Sequence, residues 1–122
     1  MKASTISFRM AVIFVITGVL MGIAMAITGH HEFMPAHAHL NLLGWVSLFL
    51  FGIFYKLHPA VDDSVLARVQ AIWWAAGSFI LAGGVALVHS GHQAGEPLAV
   101  IGSLLIAANL MVLAKLVFRE TA

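Results

Sequence analysis

The chain has 122 residues, 61% of them hydrophobic and only 9% charged, with a net charge of +1 and a mean hydropathy of +1.01. That is more apolar surface than one soluble core of this size hides, so a lipid bilayer must be the solvent for much of it. No cysteine is present, which excludes disulfides, thiolate zinc sites and iron–sulfur clusters.

Four segments are long enough to span: Phe8 to Thr28, Ala36 to Leu57, Leu66 to Val88 and Pro97 to Phe118. Each holds 21 to 23 residues, against the roughly 20 that a hydrocarbon layer of about 30 Å requires. They lack alternation and are rich in Leu, Ala, Met and Gly, which argues against strands. The first segment has a basic start, and Ala24-Met25-Ala26 mimics a signal-peptide cleavage site. Its apolar run is longer than a signal core, so it reads as a retained helix. Gly18, Gly22 and Ala26 recur every four residues along it as a packing stripe, within the chain or between chains. The second segment follows "GHHEFMP". The third follows "HPAVDDSV", where Asp62, Asp63 and Ser64 are candidate N-caps. The fourth follows "HSGHQAGE" and carries Asn109 at its centre, where an amide needs a partner on another helix or subunit. The expected fold is one all-α domain over residues 1–122, four transmembrane helices in an up-down bundle.

Lys2, Arg9, Lys56, Arg68, Lys115 and Arg119 all fall at one side of such a bundle, and none lies at the other. The positive-inside rule therefore expects both termini in the cytoplasm, with the opposite face periplasmic in a bacterial inner membrane. Six of the seven histidines gather at that opposite face: His30, His31, His37, His39, His89 and His92, joined by Glu32 and Glu96. Clustered imidazoles serve as ligands for haem iron, copper or zinc, or as stations in a proton path. The bland alternative is a wet surface, which fits His30, His31 and His92 in their loops. His58 reads as an interfacial cap on the opposite side.

His37 and His39 are two residues apart, so on a helix they point roughly 200° away from each other. His37 shares a face with Asn41 and Gly44. His39 shares one with Leu43, Val46, Leu50 and Ile53, an apolar stripe on which an unpaired imidazole is costly. A b-type haem, flat and apolar, suits that stripe. His89, at the same side of the bundle and above the small residues Ser78, Ala82, Gly83, Gly84 and Ala86, is the expected second ligand, with His37 as runner-up. The competing reading of those small residues is close helix packing. Trp45, Trp73, Trp74 and Tyr55 read as interface anchors, and the three tryptophans also as candidate walls of a haem pocket. Met21, Met25 and Met34 read as core filler but leave a copper reading open.

The stretch "HLNLLGWVSLFLFGIFYKLHP", residues 39 to 59, resembles transmembrane helix II of haem–copper oxidase subunit I, closest to the nitric oxide reductase and C-type oxidase branch. The whole chain looks like small four-helix bacterial proteins containing "HAHLNLLGW" that are described as cytochrome c oxidase subunit I-like. The resemblance implies a low-spin haem b ligand at His39, followed by Asn41. The oxidase subunit has twelve helices, and its remaining histidines lie on helices this chain lacks, so the resemblance does not extend to a complete oxidase.

The expected function is therefore a membrane cytochrome b-like protein that self-associates. It would hold haem b with His39, His89, His37, Asn41 and Trp45, and would serve electron transfer to a redox partner or haem or gas sensing. A second class is a copper or zinc binder for metal handling or oxidase assembly, using His30, His31, His37, His92 and Glu32. A third is a cofactor-free structural subunit. Nothing in the sequence points to hydrolysis, nucleotide chemistry or nucleic acid.

Overall fold

The computed structural model describes residues 1–122. It contains α1 (Ala3–Thr28), α2 (Met34–Leu57), a single turn α3 (Pro59–Asp62), α4 (Val65–His89) and α5 (Gly95–Glu120), with no strand. The four long helices are each long and apolar enough to cross a membrane, as a multi-pass protein requires. They begin up to five residues before, and end up to two residues after, the apolar runs of the sequence. Polar and charged end residues continue the hydrogen-bonding pattern where hydropathy alone stops counting.

Local chemistry explains the ends. Gly29 adopts a left-handed conformation (φ 71°) and returns its N–H to Met25 O, closing α1. Pro35 sits in the first turn of α2, where a missing N–H costs nothing. Pro59 forces extended backbone on His58 and ends α2. Ser64 caps α4, its Oγ accepting from Ala67 N–H at 3.2 Å. Asp62 does something the local sequence does not announce. It caps α1, accepting from Ser4 N–H at 2.6 Å and Ser4 O–H at 2.7 Å.

α1, α2 and α4 pack on one another, while α5 lies along α4 and touches the rest only in isolated places. The α1–α2 seam alternates glycine and bulk. Gly22 admits His37 and Gly18 admits Asn41 from α2; deeper, Gly44 and Gly52 of α2 admit Phe14 and Phe8 of α1. The Gly18/Gly22 stripe therefore serves packing within the chain, and Ala26 beyond it is exposed. α4 and α5 meet through Gly84, Gly95 and Gly102, whose neighbours are backbone atoms of the facing helix.

Within α2, residues Leu40–Ser47 are π-helical. The buried positions explain why. Leu40, Gly44, Leu48 and Gly52 are all buried at strict four-residue spacing. On a straight α-helix each such step rotates about 40°, so three steps swing the stripe by about 120° away from its neighbours. The wider i→i+5 turns hold it on one face. Ser47 O–H donates to Leu42 O, five residues back, at 2.9 Å, and Trp74 Nε1–H of α4 donates to Leu43 O at 2.8 Å. The irregular backbone is thus satisfied by side chains at membrane depth.

Candidate haem or metal ligand site

Six histidines lie toward one end of the bundle, in α2, α4 and the two loops there. Their environments differ sharply. His37 is clamped between α1 and α2: its Nδ1–H donates to Gly18 O at 2.7 Å, and the Asn41 amide nitrogen lies beside the ring, 3.3 Å from Nε2 and 3.5 Å from Nδ1. His37 with Asn41 forms a helix-to-helix strut. Asn41 Oδ1 is buried against Gly18 without a partner.

His39 has the opposite character. Its Nδ1 lies 2.6 Å from Pro35 O, four residues back. A carbonyl can only accept, so Nδ1 carries a proton, and in the neutral tautomer the lone pair is on Nε2. This is the arrangement by which a backbone acceptor orients a ligating imidazole. The half-buried ring lines a cavity of about 260 Å³ with Ala38, Leu42, Leu43 and Leu81. Of the apolar stripe expected beside His39, Leu43 is present. Val46, Leu50 and Ile53 are exposed on the outer surface. Leu81 joins from α4, a contact that no reading of α2 alone supplies.

His89 is exposed, its Nδ1–H donating to Val85 O at 3.0 Å, so its Nε2 is also free. It is not among the residues lining the His39 cavity, which Leu81 completes from α4. Trp45 lies outside the His39 cavity, its ring against Phe49 at 4.8 Å. His30, His31, Glu32, His92 and Glu96 are exposed, and His92 Nδ1 pairs with the Ser90 hydroxyl at 3.1 Å. No group of three or more His, Asp or Glu side chains comes together as a preformed metal cage. At the opposite end, His58 donates Nδ1–H to Phe54 O at 2.7 Å and rests on the Phe54 ring.

The most developed polar cluster lies away from the histidines. Tyr55 O–H donates to Gln70 Oε1; Gln70 Nε2–H donates to Asn109 Oδ1 at 2.8 Å; Asn109 Nδ2–H returns to Gln70 O at 3.0 Å. With Asp62 and Ser4 these residues are 0–2% exposed. Tyr55 is therefore a buried strut and not an interface anchor, and the partner Asn109 requires is Gln70. Gln70 is the residue that the sequence reading missed. A lone glutamine among apolar residues on α4 is its signal.

The chain matches no protein-family model, no curated protein and no solved structure.

Proposed function

We propose that this multi-pass membrane protein binds a b-type haem through His39, for one-electron transfer or for sensing haem or a diatomic gas. The observation that carries the reading is the His39 ring itself. Its Nδ1–H is committed to Pro35 O, and its Nε2 is free beside an apolar cavity at membrane depth. The likeness of residues 39–59 to helix II of haem–copper oxidase subunit I supports the same residue. Haem held there would supply reversible Fe(III)/Fe(II) chemistry. The residues of this chain would orient the ligand, keep the proton on Nδ1 and exclude water with Ala38, Leu42, Leu43 and Leu81. Neither His89 nor His37 lines that cavity, so His39 is the residue of this chain that would hold the haem. The histidine end would be periplasmic in a bacterial inner membrane, since all six Lys and Arg lie at the other end.

The test is an absorption spectrum of the detergent-purified protein, oxidised and dithionite-reduced, with His39→Ala and His89→Ala alongside. The expected result is a Soret band with reduced α-bands that His39→Ala abolishes and His89→Ala retains. A colourless protein from haem-replete cells would overturn the proposal, and elemental analysis would then test copper or zinc in the histidine loops. A cytoplasmically active reporter fused after Ala122 is the expected topology result, and periplasmic activity would reverse the assignment of sides.

A further inference from the structure

α1 and α4 run parallel and touch, and a groove opens along their contact. Between them lies a cleft of about 630 Å³, walled by α1 from Ile6 to Met21 and by α4 from Ile72 to Ala86, with Ala36 and Leu40 of α2 as its floor. Its only side-chain hydroxyl belongs to Thr17, and that is returned to Ile13 O at 2.9 Å. No free polar group meets an occupant along the whole length.

The dimensions decide what fits. From Ile72 to Ala86 the helix rises about 21 Å, so the groove runs along most of a hydrocarbon layer of roughly 30 Å. It is lined almost wholly by apolar side chains and opens beside the exposed Phe79, which suits an extended acyl tail. Gly83 keeps it open: a Cβ placed there meets nothing within 4 Å.

The cationic end of the cleft carries matching chemistry. Arg68 precedes Ile72 and Ala75 by four and seven residues, so it stands on the α4 face that lines the cleft. Arg9 lies between Ile6 and Ile13 at i+3 and i−4, on the lipid-side rim of α1. Neither guanidinium makes an ion pair or a hydrogen bond. The nearby carboxylates are occupied: Asp63 pairs with Lys2 at 3.6 Å, and buried Asp62 caps α1. Arginine is the residue suited to phosphate at such a place.

We propose that the α1–α4 cleft is a binding site for an anionic phospholipid, with one acyl tail along the cleft and the phosphate held by Arg9 and Arg68. The site is independent of the histidines. The probe is phosphatidylglycerol against phosphatidylcholine of identical chains, added to delipidated protein in mild detergent and read by thermal unfolding and native mass spectrometry. Phosphatidylglycerol raises the unfolding midpoint and survives as a one-lipid adduct, and phosphatidylcholine does neither. Arg9→Gln and Arg68→Gln each weaken phosphatidylglycerol about fivefold, from roughly 1 kcal/mol per surface arginine. Gly83→Leu, which fills open space, abolishes binding while the far-UV circular dichroism is unchanged. Equal binding of the two lipids, full binding by the arginine double variant, full binding by Gly83→Leu, or preference for a polyprenyl phosphate over phosphatidylglycerol would each overturn the proposal.

Discussion

The two ends of the bundle both carry polar side chains and use them in opposite ways. At the cationic end Ser4, Asp62, Tyr55, Gln70 and Asn109 are buried and partnered to one another across α1, α2, α3, α4 and α5. At the histidine end only His37 is locked into the fold. His39 and His89 spend one ring nitrogen on their own helix and leave the other free. Polar groups sealed from water gain by finding each other, because an unmet bond in a low-dielectric interior has no replacement, and the hydroxyls of Ser7 and Ser78 are buried exceptions. Groups half-exposed at a membrane boundary can keep a lone pair in reserve for a ligand. Residue type is therefore a poor guide to role here, and the second ring nitrogen or second lone pair is a good one.

Substitutions can break this contrast. The largest effect is expected for Asp62→Ala, which strips the N-terminal cap from α1 and leaves Ser4 N–H and O–H buried without an acceptor. About 3 kcal/mol of stability should be lost, measured by reversible unfolding in mixed micelles. Gln70→Leu should cost about 1–2 kcal/mol, since hydrogen bonds between helices in membranes average roughly 0.6 kcal/mol and reach about 1.7. Adding Asn109→Leu should cost less than the sum of the two single changes, because no unpaired amide then remains. His37→Ala, the one structural histidine, should cost roughly 0.6–1 kcal/mol. His39→Ala should change stability by less than about 0.5 kcal/mol while, under the proposed function, removing the haem absorbance. If His39→Ala destabilised the fold as much as Asp62→Ala, the distinction between the two ends would fail.

Much of the architecture was legible in advance. Four spans, their alternation and the segregation of all six cations follow from hydropathy and charge, which register on any stretch of about twenty residues regardless of neighbours. The pairing of His37 with Asn41 follows from helical spacing alone. The π-helical stretch in α2 was not anticipated, although Leu40, Gly44, Leu48 and Gly52 at four-residue intervals carry its signal. Those four become meaningful only once their burial on a single face is known. Asp62 illustrates the same limit. Its position before α4 makes it a local cap candidate, yet its carboxylate reaches α1, 58 residues earlier in sequence.

The sequence by itself determined that this is a membrane-spanning, all-helical chain with charge at one end and imidazole at the other. Those properties are sums over residues, and the bilayer enforces them on each helix separately. Only the tertiary structure decided which imidazoles are free, that His39 alone among them lines an apolar cavity, that Gln70 bridges Tyr55 and Asn109, and that a groove opens between α1 and α4 over about 21 Å. Each of those depends on how one helix is rotated against another. That rotation is fixed by glycines meeting phenylalanines and carbonyls meeting indoles, contacts between residues distant in sequence.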